Sequence, residues 1–216
     1  MKQIVTQIEK EIKKIFNDSS HDFYHMKRTY ALALNIQQKE GGDKIVIGVA
    51  ALLHDIHRII GRKSGKYCSP KDSLKEVNKI LNKLNLKEDQ KKRILHCIEF
   101  HEEYDFSKNG KTVNDLETLI LQDADNLDAI GAIGIIRNAM FVGTINGIMW
   151  DPNKVSYRKT FDEDKNDITM VDHFYNKLLK LKDNMNTKTA KKIAVKRHKF
   201  MEKFLERFFQ EWEGKE

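Results

Sequence analysis

The chain has 216 residues, with 39 Lys+Arg against 32 Asp+Glu for a net charge of +7, and only two prolines and two cysteines. Proline breaks helix interiors, so two in this length leave room for long helices. Lone Cys68 and Cys97 form no CxxC pair, which excludes a disulfide scaffold and leaves them as packing residues rather than ligands. No stretch approaches the ~20 apolar residues of a membrane span. The N-terminus alternates Lys and Glu with Ile and lacks a signal-peptide run. A soluble cytoplasmic protein is expected, and its positive balance favours an anionic partner.

In chain order, Ile4, Ile8, Ile12 and Ile15 recur at helical spacing and predict a first amphipathic helix. Asn17-Asp18-Ser19-Ser20 supplies stop and N-cap chemistry, and a second helix runs from near His21 toward Gln38, ended by Gly41-Gly42. Ile45 to Leu53 is apolar on all sides, which suits a buried strand or a central helix; its alanines and helical surroundings favour the helix. Gly61 to Ser69 reads as a polar loop. Ser69-Pro70-Lys71-Asp72 then gives an N-cap, a proline at the first helical position and an acid at the third. Further helices are expected over about 88–101 and, as one long element, about 114–140. Phe141 to Asp167 lacks a clear period and is read as a lid or substrate loop. Val171, Phe174, Leu178 and Leu181 mark another helix. Thr187 caps the last one, whose stripe of Ile193, Phe200, Phe204, Phe208 and Trp212 reads as core until Gly214 stops it. No repeat or linker interrupts the chain, so a single all-α, multi-helix domain is expected. Lys177 to Lys203 is rich in Lys and Arg, with Asp183 and Glu202 its only acids: a solvated face, or a basic wall over an anionic substrate.

His54-Asp55 closes the most apolar segment of the chain. A carboxylate beside an imidazole at the end of a buried helix is costly without a partner, and a divalent ion suits both ligand types. Taken alone, the doublet fits equally well a helix that merely ends in polar residues. His25 lies on the second helix, after Asp22 and before Arg28; His21 shares its face and could make a zinc-type pair, though His21 and Asp22 sit where capping groups belong. The third element is Gln122-Asp123-Ala124-Asp125-Asn126-Leu127-Asp128. At ~3.6 residues per turn, Asp125 and Asp128 share a face, while Asp123 points about 200° away from Asp125. Asp123 and Asp125 cannot easily serve one ion.

With His25 in His25-Met26-Lys27-Arg28-Thr29, the His54-Asp55 doublet after Ala50-Ala51-Leu52-Leu53, and Asp125 in Ala124-Asp125-Asn126-Leu127, the chain resembles the HD-domain metal-dependent phosphohydrolases. The Asp123–Gly134 block, His173 to Leu181, and Asn186-Thr187 through Arg197-His198 resemble the small stand-alone bacterial members, so the likeness covers nearly the whole chain. It implies an HD core over about 21–140 with C-terminal helices, about 168–213, packed on it. It further implies a divalent ion held by His25, His54, Asp55 and Asp125: manganese first, with iron, zinc, magnesium, cobalt or nickel admissible. The implied reaction is hydrolysis of phosphate esters or anhydrides, nucleotides above all. His57-Arg58 stands where close relatives often carry an acid, which bears on substrate preference rather than metal binding.

A divalent ion lowers the pKa of coordinated water from 15.7 toward about 7, so hydroxide is available at neutral pH for attack on phosphorus. Asp55 or Asp128 is the candidate to orient or deprotonate that water. His101 reads as a leaving-group acid, a phosphate contact, a second-metal ligand or merely an exposed helix-terminal histidine. Arg28, Arg58, Arg137 and Lys177 are candidates to neutralise phosphate oxygens. The expected substrate is a small phosphorylated molecule, a nucleoside or deoxynucleoside triphosphate, with a homodimer admissible. No nucleic-acid-binding module is recognisable. The alternatives are a phosphodiesterase acting on a cyclic or linear phosphodiester and a non-catalytic nucleotide sensor.

Overall fold

A computed structural model describes residues 1–13, 23–106, 110, 112–159, 167 and 169–215. The Asn17–Ser20 stop signal, His21 and Asp22 lie outside the described residues, as does the 160–166 part of the expected lid. Among the described residues the fold is all-α: α1 (Lys2–Lys13), α2 (Phe23–Glu40), α3 (Lys44–Leu53), α4 (Ile56–Ser64), α5 (Pro70–Leu81), α6 (Glu88–Glu99), α7 (Leu116–Asp128), α8 (Gly131–Thr144), α9 (Met170–Asn176) and α10 (Lys188–Trp212).

The apolar run that could have been strand or helix is α3, the centre of the bundle. Val46 to Leu53 are all buried, because α1, α2, α6 and α7 cover α3 on every side. Asp43 starts it by accepting from Ile45 N at 2.8 Å, and its other oxygen accepts from Gln90 and Arg93 of α6. The Ser69 signal also holds: Asp72 accepts from Ser69 N at 2.9 Å, with Pro70 opening α5. The segment read as a loop from Gly61 is instead helical through Ser64, and left-handed Gly65 ends it.

Two expected helices are broken. The element expected over 114–140 bends by 73° between α7 and α8. Gly131 sits at φ +81°, and a Cβ on Gly134 would lie 2.2 Å from the Ala129 carbonyl, so the small residues after Asp128 permit this tight turn. The bend puts Asp128 at a helix end, facing α8. The helix expected through Leu181 stops at Asn176 and continues as a short 3-10 turn over Leu178–Lys180.

The start of the segment expected as a lid or substrate loop is helical. Phe141 to Thr144 complete α8. The described loop beyond is tied to α9: Met170 N and Val171 N donate to Ile148 O and Met149 O at 3.0 and 3.1 Å, and Arg158 N donates to Asn176 Oδ1 at 2.6 Å. Trp150 packs on Phe209 and Trp212 of α10. The α10 aromatic stripe is only partly core, since Phe200 is 52% and Trp212 43% exposed. Among the described residues no single helix is long and apolar enough to cross a membrane.

Candidate metal centre

Three elements deliver the candidate ligands to one point. His25 lies in the first turns of α2, His54 and Asp55 form the corner between α3 and α4, and Asp125 is in the last turn of α7. Since α2 and α7 pack on α3 and on each other, these ends converge. His25 Nε2 is 3.2 Å from His54 Nε2, 3.3 Å from Asp55 Oδ2 and 3.3 Å from Asp125 Oδ1. His54 Nε2 is 3.7 Å from Asp55 Oδ2 and 3.6 Å from Asp125 Oδ1. Donors bound at about 2.0–2.2 Å to one ion stand roughly 3.0–3.4 Å apart, so the four atoms fit around one ion after small adjustments. Both histidines are fully buried and Asp55 is 2% exposed.

The ring orientations are fixed from behind. His54 Nδ1 donates to Ala51 O at 2.9 Å, an i to i−3 bond that ends α3. His25 Nδ1 donates to Asp128 Oδ2 at 2.8 Å. With both Nδ1 atoms committed, both Nε2 atoms turn to the shared point, the arrangement that orients imidazoles for metal binding. Asp128 is itself clamped: Arg28 makes a two-pronged bond to its oxygens at 2.8 and 3.0 Å, and Arg137 adds a third at 3.0 Å. Burial raises the Asp128 carboxyl pKa, but His25 and Arg28 outweigh it and hold the value at about 2.

Electrostatics favour a cation at the meeting point. Burial and the Arg137 charge pull the His25 pKa down, yet hydrogen bonds to Asp125, Asp128 and Asp55 outweigh them and lift it to about 10. For Asp125, bonding to His25 and His54 overcomes burial and keeps the carboxyl well below the usual range. The carboxylates thus hold a proton on His25 where a divalent ion would satisfy them better. The residues present fit such an ion.

Other expected residues fall on either side of this cluster. Asp123 is completely buried on the far face of α7, where it binds Asn186 and Thr187 at the start of α10. Asp128 faces the cluster but is an orienting group: His25, Arg28 and Arg137 engage its oxygens, which ill suits it to take a proton from water. His101 is 1% exposed, so it is no surface histidine; burial lowers its pKa to about 4 and keeps it neutral. Arg58 Nε lies 3.4 Å from Asp55 Oδ1, and its guanidinium also bonds Glu102. Lys177 holds its ammonium 4.8 Å from the Tyr104 ring centroid.

Sequence reasoning did not single out Glu102 or Arg197. Burial raises the Glu102 carboxyl, but Arg58 and His57 hold it well below the carboxylate range. Arg197 donates to Leu127 O at the end of α7, and with Lys39, Lys192 and Lys196 it lines a basic groove between α2 and α10. The excess of Lys and Arg over acids between Lys177 and Lys203 was the available signal for the α10 wall of that groove.

The HD domain family model matches residues 22–130, which span His25, the doublet and Asp125. The chain belongs to the HD domain family. By sequence it is 33% identical over 201 residues to YpgQ of Bacillus subtilis, covering 92% of this chain and 89% of that protein. In structural superposition YpgQ in complex with ADP gives a TM-score of 0.70 at 27% identity, over 97% of this chain and 95% of that one. An HD-superfamily hydrolase from Bacillus thuringiensis gives 0.71 at 34% identity, over 98% and 96%. A Lactobacillus plantarum protein gives 0.82 at 31%, over 99% of both chains. The bundle is therefore an HD-superfamily hydrolase fold with a His/Asp cluster able to hold a metal ion.

Proposed function

We propose that this HD protein is a divalent-metal-dependent phosphohydrolase acting on nucleotides, with nucleoside and deoxynucleoside triphosphates as substrates. One observation carries the reading: the Nε2 atoms of His25 and His54 lie 3.2 Å apart and each is 3.3–3.7 Å from a carboxylate oxygen of Asp55 and of Asp125. His25, His54, Asp55 and Asp125 would hold the ion, and two nitrogens with two oxygens suit manganese or iron better than calcium. When bound, such an ion lowers the pKa of coordinated water toward about 7 and polarises a phosphoryl oxygen.

The surrounding residues have separate roles in this reading. Asp128 keeps the His25 proton on Nδ1 and so presents Nε2. Arg28 and Arg137 neutralise Asp128, which lowers the cost of leaving a carboxylate beside an anionic substrate. Asp55 turns Oδ2 to His25 and Oδ1 toward Arg58, so it can orient water on one side while bound on the other. Arg58, about a third exposed, can exchange its carboxylate partners for phosphate oxygens, and a guanidinium matches them in two-pronged fashion. The ADP complex of YpgQ supports a nucleotide over other phosphate esters, as does the surplus positive charge of this chain.

The test is to strip the purified protein of metal and reload it with manganese, iron, zinc, magnesium, cobalt or nickel. It is then incubated with nucleoside triphosphates, their deoxy forms and phosphodiesters, and the products are separated by anion exchange. Triphosphate loss that requires manganese is expected, and attack at the α-phosphorus would release monophosphate and pyrophosphate. Cleavage of phosphodiesters alone would overturn the triphosphate assignment in favour of a phosphodiesterase. Nucleotide binding without turnover under every metal would make the protein a sensor.

A further inference from the structure

The groove between α2 and α10 lies outside the proposed reaction. It holds a cavity of about 460 Å³, within the ~300–1,000 Å³ of small-ligand sites, lined by Lys39, Thr189, Lys192, Ile193, Lys196 and Arg197. Lys39 follows His25 on α2 by fourteen residues, about 21 Å along the axis at ~1.5 Å per residue. At that end Thr189 N donates to Glu40 Oε1 at 2.7 Å. At the other end Arg197 donates to Leu127 O in the last turn of α7, and a Cβ on Gly131 would lie 3.0 Å from Arg197 Cγ.

Lys39, Lys192, Lys196 and Arg197 are cations, and no acid lines the cavity. Among the described residues none of the four stands within ion-pair distance of a carboxylate. Two carboxylates act on them through charge alone, and both are committed elsewhere. Glu40, engaged by Thr189 N, acts on Lys192; Asp128, clamped by Arg28 and Arg137, acts on Arg197. Arg197 is half-buried, and burial lowers its pKa against the pull of Asp128. A guanidinium carries five N–H donors, and the bond to Leu127 O leaves most of them unused. Repulsion among cations around one cavity is relieved when an anion enters it.

The neighbouring groove on α10 has the opposite balance. Lys182, Lys191 and Lys199 line it together with Asp183 and Glu202. Lys182 Nζ is 3.8 Å from Asp183 Oδ1, and His198 Nε2 is 3.3 Å from Glu202 Oε1. The positive charge of α10 is therefore not spread evenly over a solvated face. It is compensated in place on one side and left uncompensated on the side toward α2.

We propose that this groove is an anion site apart from the metal centre, and that it takes an oligophosphate: the phosphate chain of a nucleoside triphosphate or inorganic triphosphate. Several charges on one short chain match several cations, whereas a lone carboxylate or phosphate would satisfy fewer of them. Lys192 and Lys196 stand one turn apart on α10, and their flexible stems let the two ammonium groups meet successive phosphates. The planar guanidinium of Arg197 is shaped to take two oxygens of one phosphate. Ile193 and the lysine stems supply an apolar wall for a sugar or base. The site shares no residue with the proposed metal centre, so it does not rest on the hydrolysis reading. An anion held by Arg197 would lie against the turn after α7 that carries Asp128, the acceptor of His25.

Full-length protein held metal-free with a chelator, so that nothing is turned over, would be titrated by equilibrium dialysis with inorganic triphosphate and, separately, with ATP. Saturable binding is expected. Lys192→Glu combined with Lys196→Glu should weaken it about tenfold or more. Both lysines are exposed, so the fold should survive, and circular dichroism melting checks that it does. Lys182→Glu combined with Lys191→Glu makes the same change of net charge in the balanced groove and should cost about twofold or less. Equal affinity for the two compounds assigns recognition to the phosphate chain, and tighter ATP adds the sugar or base; either supports the site. Equal losses in the two double variants would reduce the effect to net charge and overturn it. Binding lost in Arg58→Ala but kept in Lys192→Glu/Lys196→Glu would place the anion at the metal centre, and overturns it as well. So does binding of a single-stranded oligonucleotide when neither small anion binds. Hydrolysis by the metal-loaded protein is read separately and is untouched by these outcomes.

Discussion

Asp123 tests whether the aspartate block has been divided correctly between structure and chemistry. Its Oδ1 accepts from Asn186 N at 2.7 Å and Asn186 Nδ2 at 3.0 Å; its Oδ2 accepts from Thr187 N at 2.8 Å and Thr187 Oγ1 at 2.7 Å. Thr187 in turn caps α10 by accepting from Ala190 N. One buried carboxylate on α7 thus anchors the start of a 25-residue helix. Asp123→Ala leaves two main-chain N–H groups without their acceptor, at about 1–3 kcal/mol each. The lost cap orientation adds about 1 kcal/mol. Allowing for some water entry, the cost is about 3–5 kcal/mol. For a chain of this size that lowers Tm by roughly 6–20 °C, at about 2–4 °C per kcal/mol. Circular dichroism melting of the metal-free protein measures it, and manganese titration below the new Tm should still give wild-type affinity. Asp125→Ala should do the reverse, melting near the wild type when metal-free but failing to bind the ion. A variant Asp123→Ala that melts within about 2 °C of the wild type, on the same scale, would refute the anchoring argument. Loss of metal by that variant at full stability would refute the division of roles.

Two further predictions concern the cluster. Asp128→Ala removes the acceptor that orients His25 and should weaken metal binding about 10–100-fold, read by competition with a chelating dye. The metal-free protein holds a proton on His25, whose pKa the bonds to Asp125, Asp128 and Asp55 lift to about 10 against burial. Metal must displace that proton, so affinity should rise about tenfold per pH unit between roughly pH 7 and 9, and calorimetry in buffers of different ionisation enthalpy should register its release. A folded pKa above the unfolded value of about 6.5 stabilises the metal-free protein fully below that pH; the benefit is lost as pH rises toward about 10, so its Tm should fall over this range.

Periodicity and capping signals made most helices legible, because burial of an apolar stripe and satisfaction of end N–H groups are local demands. Ser69-Pro70 and Thr187 show this, each capping the helix its sequence announces. The opposite faces of Asp123 and Asp125 also followed from helix geometry and are seen in the structure. The bend after Asp128 was not legible, since apolar residues continue through Ala129 to Ile136 and only the backbone of Gly131 reveals it. Phe200 keeps helical register with Phe204 and Phe208, yet it is 52% exposed while Met201 and Leu205 beyond it are buried, so the covered face of α10 is turned away from it. The partners of the site residues were the least readable. Arg28 and Asp128 are 100 positions apart, and Arg58 and Glu102 are 44 apart; only the packing of α2 on α7 and α3 on α6 brings them together.

In the proposed reaction, charge placement explains why a basic chain concentrates acids at the site of an anionic substrate. Asp128 is matched by two arginines and is silent toward solvent. Asp125 lies against two imidazoles, and the hydrogen bonds of His25 to it, to Asp128 and to Asp55 hold a proton on that ring in the metal-free state. Asp55 meets Arg58 on one side and the histidines on the other. Negative charge is therefore neutralised in stages, completely behind His25 and incompletely in front of it. A phosphate approaching the incompletely neutralised side meets repulsion until a divalent ion offsets the two carboxylates. On this reasoning the ion is needed for the substrate to come close as well as for water to ionise. In that reading Arg58, set between Asp55 and Glu102, would act on the remaining phosphate charge once the ion takes over the neutralisation of Asp55.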